Sequence, residues 1–318
     1  MTADWSQFEI GRDEIGVAAV RIAGHVRETP VLRLEADALG VPAILKLDLL
    51  QPTGSFKVRG AFSLLLAAPI PGGGVTAASG GNFGAAVAYA AGRLGVAATI
   101  FVPASSPREK IDALAALGAE VRVIDGYYPA ALAACREWAA ERDVLFAHAY
   151  DQREVVAGQG TCGRELAAQA PEVDTVLVAV GGGGLIGGIA SWYRDDARIV
   201  SVETEGTPTL HAALAAGEPV DVEIGGIAAS SLGASRVGDH PWAAARRWVD
   251  RAVLVSDEAV TAARRRLWQT ARLAVEPGAA APVAALLSGA YGPEPGERVA
   301  VVVCGANADP RDLIAPAR

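Results

Sequence analysis

The residue in this sequence best suited to covalent chemistry is a lysine near the predicted start of a helix. Lys57 lies in the segment PTGSFKVRGA (residues 52–61), where Ser55 is a candidate helix cap and Phe56 offers apolar cover. A lysine in the first helical turn faces the positive end of the helix dipole, so its neutral form is favoured. A neutral amine is the form that attacks a carbonyl carbon to make an imine. Taken alone, the position suits a solvated surface lysine equally well.

A run of four glycines supplies a second candidate site, one suited to holding a phosphate group. The run at residues 181–184 follows a predicted apolar strand (174–180) and precedes a predicted helix. Glycines allow the backbone to approach closely, and the free N–H groups at a helix start bind phosphate. The pattern G-x-G-x-x-G from Gly182 to Gly187, followed by Glu203 after the next strand, also matches a dinucleotide-binding fingerprint. The loop predicts a phosphate site without identifying the phosphate, so a nucleotide-dependent oxidoreductase is an alternative.

These candidate residues need elements that hold them in place, and the sequence supplies a regular alternation. Short β-branched runs alternate with helical stretches from residue 75 onward, which is typical of βαβ units on a parallel sheet. The predicted strands cover residues 31–33, 43–47, 75–78, 98–102, 121–124, 145–148, 174–180, 198–202 and 299–303. The predicted helices cover residues 13–27, 56–68, 82–94, 107–117, 129–142, 155–168, 185–194 and a long stretch from residue 257. We expect an α/β fold with two parallel-sheet domains.

Composition narrows the class of protein. Of the 318 residues, 51% are apolar and 20% are charged, which suits a folded protein with a buried core. The net charge of −8 argues against nucleic acid or an anionic membrane as the main partner. Three cysteines without CxxC spacing predict neither a disulfide framework nor a zinc site, and the first residues carry acids where a signal peptide carries bases. We expect a cytoplasmic protein without a membrane span.

Several segments together resemble the fold-type-II pyridoxal-phosphate enzymes, in the branch of the serine/threonine dehydratases and serine racemases. The segment SFKVRG (residues 55–60) resembles that family's lysine motif. SGGNFG (79–84) resembles its asparagine loop, and GGGGL (181–185) resembles its phosphate loop. Further similar blocks are AGQGT (157–161), VEPGA (275–279) and CGAN (304–307). Because the blocks follow the family's order along most of the chain, this interpretation is favoured over a dinucleotide site.

The resemblance implies a role for each matching residue. Lys57 would hold pyridoxal 5'-phosphate as an imine and, once released, would move the α-proton of the substrate. Phe56 would pack along the cofactor ring, Asn82 would bond the ring 3'-oxygen, and the glycine loop would hold the phosphate. The full set expected at the cofactor is Phe56, Lys57, Asn82, Gly181, Gly182, Gly183, Gly184, Leu185, Glu276 and Cys304. The set expected at the substrate carboxylate is Ser79, Gly80, Gly81 and Asn82.

Individual positions narrow the branch of the family. Val58 follows the lysine, as a hydrophobic residue does in the dehydratases, whereas sulfhydrylase and threonine synthase relatives usually carry aspartate there. Cys304 would face the pyridine nitrogen, and a thiol cannot hold that nitrogen protonated, which suits β-elimination. Gly80 stands where the racemases carry a serine that serves as a second base. Metal-stimulated racemases use a carboxylate pair, of which Glu203 matches the first member while the second falls on Thr209, so no metal is expected.

The sequence therefore predicts a pyridoxal-phosphate-dependent L-serine/L-threonine dehydratase, an ammonia-lyase that eliminates the β-hydroxyl to give a 2-oxo acid and ammonia. The alternatives are a serine or other amino-acid racemase and a dehydratase for another β-hydroxy amino acid such as 3-hydroxyaspartate. The family implies a homodimer. Residues 1–71 and 150–318 are expected to form a large cofactor-binding domain, and residues 72–149 a small mobile domain that closes over the site.

Overall fold

Two separate β-sheets organise the chain. The computed structural model describes residues 4–311. The strands are β1 (Val31–Leu34), β2 (Ala43–Lys46), β3 (Val75–Ala78), β4 (Ala98–Pro103), β5 (Glu120–Ile124), β6 (Leu145–Ala147), β7 (Thr175–Ala179), β8 (Arg198–Thr204), β9 (Val249–Val255) and β10 (Val299–Val302). One sheet has the strand order β1-β2-β10-β7-β8-β9, and the other has the order β5-β4-β3-β6. Neighbouring strands run parallel except for the antiparallel pair β1 and β2. The predicted α/β fold with two parallel sheets is confirmed.

Helices cover the faces of both sheets, as parallel sheets require. They are α1 (Arg12–Ile22), α2 (Ala36–Leu39), α3 (Lys57–Leu65), α4 (Asn82–Leu94), α5 (Arg108–Ala116), α6 (Tyr128–Ala140), α7 (Arg153–Gln169), α8 (Gly184–Tyr193), α9 (Thr209–Ala216), α10 (Ala229–Leu232), α11 (Asp239–Trp248), α12 (Asp257–Ala271) and α13 (Pro277–Ser288). Within residues 4–311, none of these helices combines the length and the apolar character that a membrane crossing needs.

The six-stranded sheet contains the larger hydrophobic core. Every residue of β7 and β10, which lie at its centre, is buried. The edge strand β9 differs, because Asp250 and Arg251 are exposed. Central strands of a parallel sheet are covered on both faces, so they are continuous apolar runs, whereas edge strands carry charges that discourage pairing with other chains.

The four-stranded sheet is built from one continuous part of the chain, between Val75 and Ala147. Its central strand β3 is buried along its whole length. A second hydrophobic core, centred on α3, α4 and this sheet, includes Phe62, Phe83 and Ile100. The division into a large and a small domain stays a prediction.

Helices α7 and α8 approach each other closely at two glycines. A side chain on Gly188 would overlap the backbone of Gly160, and one on Gly160 would lie 2.9 Å from the Gly188 carbonyl oxygen. Real Cβ atoms do not approach this closely, so glycine is required on both helices for this packing distance.

Some predicted boundaries were wrong, and one of them affects the site. The first helix ends at Ile22, five residues before the predicted end at residue 27. Ser55 does not cap α3, because it lies in an isolated β-bridge with Gly305, and its hydroxyl has no hydrogen-bond partner in the structure. Strand β9 and the helices α2, α9, α10, α11 and α13 were not predicted.

Candidate active site

Lys57 is the first residue of α3 and lies in a largely apolar environment. Its Nζ donates a 2.8 Å hydrogen bond to the carbonyl oxygen of Ala149. The nitrogen lies 5.0 Å from the ring centre of Phe56 and 5.7 Å from that of Phe83. Burial lowers the pKa of Lys57 to about 8, because the surroundings disfavour the charged ammonium. A useful fraction of the amine is therefore neutral near neutral pH and able to attack a carbonyl group.

A buried ion-pair network holds the helix that carries Lys57. Arg59, two residues along α3, is fully buried and pairs with Asp48 at 2.6 Å and with Glu165 of α7 at 2.7 Å. Lys46 of β2 donates to the same Glu165 at 2.8 Å. Burial alone would raise the pKa of Asp48, but the charge and hydrogen bonds of Arg59 outweigh it and hold this pKa below its ordinary value. The network ties α3 to β2 and α7.

The segment before Lys57 is paired with a segment from the end of the chain. The Phe56 N–H donates to the Cys304 carbonyl at 3.0 Å, and the Ala306 N–H donates to the Gly54 carbonyl at 2.8 Å. This pairing, together with the Ser55 and Gly305 bridge, places Cys304 beside the lysine. Two motifs separated by about 250 residues in sequence are thus adjacent in space.

The glycine loop connects β7 to α8 and leaves room for another molecule or side chain to approach its backbone. Gly183 has φ +90°, a left-handed conformation that side chains disfavour. A side chain on Gly182 would overlap the ring of Tyr150, and one on Gly184 would lie 3.0 Å from Tyr150 Cβ. Because α8 begins at Gly184, the unpaired N–H groups of its first turn lie at this loop, which suits an anion.

One cavity joins the glycine loop to Lys57. The residues that line it are Phe56, Lys57, Tyr150, Ala179, Gly181, Gly182, Gly183, Gly184, Leu185, Ser231, Leu232, Glu276, Gly278, Ala279 and Cys304. The predicted cofactor residues all line this cavity except Asn82. A molecule with a carbonyl group at one end and a phosphate at the other would meet the amine and the loop at the same time.

Two weakly acidic groups in the cavity are in environments that favour their neutral forms. Burial raises the pKa of the Cys304 thiol well above its ordinary value, and the nearby Glu276 adds to this effect. Burial also raises the pKa of Glu276, against the lowering effect of its hydrogen bonds from Asn82. A side chain on Gly305 would overlap the Glu276 carboxylate, so this glycine makes room for the carboxylate. The thiol therefore presents no negative charge to the cavity.

The asparagine loop connects β3 to α4, and one of its side chains contacts a residue that lines the cavity. Asn82 Nδ2 lies 2.8 and 3.0 Å from the two carboxylate oxygens of Glu276. Ser79, Gly80 and Gly81 do not line the cavity. Of the four predicted substrate-binding residues, Asn82 contacts a predicted cofactor residue, Glu276.

Gly80 lies close to Ser106, which follows β4. A side chain on Gly80 would lie 2.8 Å from the Ser106 hydroxyl oxygen. By contrast, a side chain on Gly81 would have no heavy atom within 4 Å. Ser106 therefore fills the space beside Gly80, while the space beside Gly81 is open.

Three further residues at the site were not predicted from the sequence. Tyr150 packs on the glycine loop, and Ser231 accepts a 3.0 Å hydrogen bond from the Gly278 N–H at the cavity wall. Asn307 donates a 2.7 Å hydrogen bond from its Nδ2 to Asn82 Oδ1. Asn307 stands in the CGAN block, which was a usable signal, whereas nothing near Ser231 in sequence marks it.

Glu203 lies outside this cavity, and both of its carboxylate oxygens accept hydrogen bonds from the backbone. Its two carboxylate oxygens accept hydrogen bonds of 2.7 Å from the N–H groups of Leu210 and His211, so it caps α9. Burial raises the pKa of Glu203 to about 8, while the backbone hydrogen bonds oppose this rise. The acid that a dinucleotide site would use for a ribose is therefore committed elsewhere. Within residues 4–311, no group of three or more His, Cys, Asp or Glu side chains is arranged to hold a metal ion.

A family comparison decides which phosphate compound the cavity serves. Residues 22–305 match the family described as "Pyridoxal-phosphate dependent enzyme". The chain belongs to this family. Its cofactor is pyridoxal phosphate, and the dinucleotide alternative is wrong.

Relatives of this pyridoxal-phosphate-dependent enzyme cover most of its length. It is 36% identical to the L-threonine ammonia-lyase of Geobacter sulfurreducens, over 92% of this chain and 74% of that protein. It is also 36% identical to the phenylserine dehydratase of Ralstonia pickettii, over 91% and 90% of the two chains. The chain spans about half the length of the biosynthetic threonine dehydratases of Pasteurella multocida and Haemophilus influenzae, which it also matches.

A solved structure with the same fold is that of maize serine racemase. The TM-score is 0.90 at 30% sequence identity, covering 96% of this chain and 95% of the other. Dehydratases and a racemase thus resemble this pyridoxal-phosphate-dependent enzyme to a similar degree, so overall likeness does not select among their activities.

The cavity fits the cofactor of the family. The loop has the bare backbone that a phosphate needs, because it consists of four glycines at the start of α8. Packing against Tyr150 and Pro241 requires glycine at positions 182 and 183. The amine of Lys57 opens into the same cavity. Leu232 and Ala279 supply apolar wall between these two polar ends, which suits an aromatic ring.

Proposed function

We propose that this protein is an L-serine/L-threonine dehydratase, which converts a β-hydroxy amino acid to a 2-oxo acid and ammonia. The observation that carries the proposal is the cavity in which a buried amine, a glycine loop and a neutral thiol meet. The similarity to an L-threonine ammonia-lyase over most of both chains supports the same activity.

Residues of the chain divide the work of the reaction. When bound, pyridoxal phosphate supplies an electron-withdrawing ring that acidifies the α-proton of an attached amino acid. The Nζ of Lys57 binds the cofactor and then accepts the α-proton, for which a pKa of about 8 is well suited. The N–H groups at the start of α8 hold the phosphate, with Gly181, Gly182, Gly183, Gly184 and Leu185 as the loop.

Cys304 directs the outcome toward elimination. We propose that its thiol would lie beside the pyridine nitrogen of a bound cofactor, where a neutral group would not hold a proton on that nitrogen. Its raised pKa supports this role, since a carboxylate at the same place would hold a proton on the ring. A neutral Cys304 would thereby favour loss of the β-hydroxyl over reactions that need a protonated ring.

The substrate carboxylate is assigned to the asparagine loop. Ser79, Gly80 and Gly81 lie just before the first turn of α4, where N–H groups and a hydroxyl suit a carboxylate. We propose that residues 72–149 form a small domain that closes on this group, and that residues 1–71 and 150–318 form the large cofactor-binding domain. The continuity of the four-stranded sheet in sequence supports this division.

A homodimer and a cytoplasmic location complete the proposal. Val17 and Val20 on α1 are 57% and 78% exposed, beside Trp192, and such an apolar patch suits a second copy. Val20→Glu should therefore shift the mass in light scattering from dimer to monomer, and a wild-type monomer would contradict the dimer.

The cytoplasmic location is supported by the cysteines. Three buried free cysteines suit a reducing compartment.

A racemase is the second candidate function, because a serine racemase shares the fold. Racemisation needs a proton donor on each face of the planar carbanion. Lys57 serves one face, while Gly80 has no side chain to serve the other. This difference favours elimination, for which serine, threonine and 3-hydroxyaspartate are the candidate substrates.

The deciding experiment measures 2-oxo acid release from serine, threonine and 3-hydroxyaspartate, each as both enantiomers. We expect turnover of an L-hydroxy amino acid, with loss of turnover and of the visible cofactor band in Lys57→Ala. Lys110→Ala is the control, since Lys110 does not line the cavity, and it should keep the band. Release of oxo acid from none of these substrates, or an unchanged band in Lys57→Ala, would overturn the proposal.

A further inference from the structure

The side-chain amide of Asn82 is held at both of its ends by residues of other elements. Its Nδ2 donates to Glu276, and its Oδ1 accepts from Asn307 at 2.7 Å. The two oxygens of one carboxylate subtend a small angle at a nitrogen, so a single N–H serves both oxygens of Glu276. The second N–H of Asn82 is therefore left over.

The orientation of Asn307 follows from a backbone carbonyl. Asn307 Nδ2 lies 2.9 Å from the carbonyl oxygen of Thr53, which can only accept a hydrogen bond. The amide nitrogen of Asn307 must point this way, and its second N–H then meets Asn82. The oxygen of Asn82 must in turn face Asn307, because the opposite orientation would set two N–H groups against each other.

Two glycines make room for this chain of hydrogen bonds. Gly54 has φ +72°, and a side chain there would overlap the Asn307 amide oxygen. A side chain on Gly305 would overlap the Glu276 carboxylate. Gly54 and Gly305 belong to the two segments that pair beside Lys57, so the same local structure that positions the lysine also seats Asn307 and Glu276.

Asn307 itself is exposed to solvent, so packing does not explain its position. Its removal would leave only the Thr53 carbonyl and Asn82 Oδ1 without a partner, and water can replace a lost bond at an exposed site. Asn307 is thus placed to influence the orientation of Asn82 with little effect on the stability of the fold.

We propose that Asn307 is a positioning residue that fixes the Asn82 amide with one N–H directed to an anionic oxygen on the cofactor ring. The proposal rests on the proposed function in that it takes the cavity to hold pyridoxal phosphate as an active cofactor. The chain Thr53, Asn307, Asn82 and Glu276 alternates acceptor and donor groups and permits a single orientation for each amide. Asn307 acts through Asn82 and touches no reacting atom.

The test compares Asn307→Asp with Asn307→Ala. Aspartate has the shape of asparagine but cannot donate, so Asn82 turns its nitrogen toward residue 307 and presents oxygen to the cofactor. Alanine removes the donor and leaves water to replace it. We expect the dissociation constant for pyridoxal 5'-phosphate to rise about ten- to a hundredfold in Asn307→Asp, the worth of a hydrogen bond to a charged group, and clearly less in Asn307→Ala.

A second readout follows the bound cofactor directly. The pH titration of its visible absorption should shift in Asn307→Asp, because an N–H facing the ring oxygen is replaced by an oxygen. Thermal unfolding of the apoprotein should be nearly unchanged in both variants. Ala308→Asp is the matched control, since it adds the same charge one residue away and keeps Asn307.

The outcomes separate this proposal from the proposed function. Equal cofactor affinity and equal spectra in Asn307→Asp and wild type would overturn the positioning role while leaving the dehydratase intact. A larger effect of alanine than of aspartate would also overturn it, since that order indicates lost contact rather than reversed orientation. If wild type binds the cofactor but releases no oxo acid, the dehydratase fails and the affinities and spectra still decide the role of Asn307.

Discussion

At the scale of single residues, the protein uses burial to set the protonation of its functional groups. Lys57 and Cys304 share one cavity, and burial favours the neutral form of each. An amine loses its positive charge more readily there, and a thiol resists acquiring a negative one. The same physical cause thus yields a nucleophile at one wall and an uncharged partner at another.

The lowered pKa of Lys57 predicts how cofactor attachment depends on pH. The rate at which the apoprotein attaches pyridoxal 5'-phosphate should rise tenfold per pH unit below about 8 and level off above it, because only the neutral amine reacts. Stopped-flow absorbance from about pH 6 to about pH 10 measures this rate. Continued tenfold increases above about pH 9 would indicate a lysine with an ordinary pKa.

The absence of a side chain at Gly80 predicts the balance of activities. Racemisation of serine should trail elimination by about 10²–10⁴-fold in wild type, the usual worth of a positioned proton donor. Gly80→Ser should raise racemisation, since Gly80 is not in the left-handed region and the only close neighbour is the mobile hydroxyl of Ser106. Chiral analysis of residual serine, run beside pyruvate release, gives both rates.

The controls for this experiment come from the same loop. Gly81→Ser places a hydroxyl one residue away in open space and should leave racemisation low. Ser106→Ala combined with Gly80→Ser relieves the crowding and should preserve or increase the gain. If wild type produces D-serine as fast as pyruvate, the missing side chain at Gly80 does not limit racemisation.

At the scale of elements, α3 owes its position to charges rather than to a cap. Ser55 is a plausible cap in sequence, yet the chain uses it to pair with Gly305, and α3 is held by Arg59 instead. Sequence periodicity placed β3 and α4 at their observed boundaries because both are apolar and regular. It could not place β9, whose exposed Asp250 and Arg251 interrupt the alternation at a sheet edge.

The residues of the candidate site likewise differ in how far the sequence could predict them. Lys57, the glycine loop and Asn82 could be recognised because local motifs carry them. Asn307 stands in the CGAN block, but its contact with Asn82 comes from the pairing of distant segments. Ser231 lies near no motif, and its contact with Gly278 likewise depends on tertiary structure that a single sequence does not reveal.

The ion-pair network predicts a large stability effect from a conservative change. Asp48→Asn should lower the free energy of unfolding by about 3–5 kcal/mol, because Arg59 keeps its charge while one buried partner is lost. The contribution of Asp48 is present above the ordinary pKa of aspartate and disappears as the pH falls through its lowered folded value. The variant should therefore lose less stability than wild type on acidification.

Urea unfolding measures both effects. Asp112→Asn is the control, since it removes the exposed partner of Arg108 and should change stability by less than about 1 kcal/mol. An equally small change in Asp48→Asn would mean that the buried network contributes little.

At the scale of the whole molecule, the regions around the two sheets contribute different residues to the site. The glycine loop follows β7 of the six-stranded sheet, whose central strands are fully buried, and Glu276 comes directly before α13. The four-stranded sheet supplies Ser79 and Asn82 from the end of β3. A substrate that contacts both groups would bring the two parts of the chain together.

Substrate binding should therefore change amide hydrogen exchange unequally across the molecule. We expect slower exchange in the loops of residues 79–82 and 104–107 when a slowly turned-over substrate analogue is added, with little change in β7 and β10. Mass spectrometry of peptides from the holoenzyme reads both regions. Equal protection throughout would count against a separate mobile domain at residues 72–149.

The contact between Gly160 and Gly188 sets a length. Helix α8 starts at the phosphate loop, and α7 carries Glu165, which holds α3 and with it Lys57. The distance between the loop and the amine therefore depends on how closely α7 and α8 pack at Gly160 and Gly188, two residues that do not line the cavity. A larger residue at either position would push the two helices apart and change the distance between the loop and Lys57 Nζ. The length of aldehyde that can span this distance depends in part on residues that do not contact it.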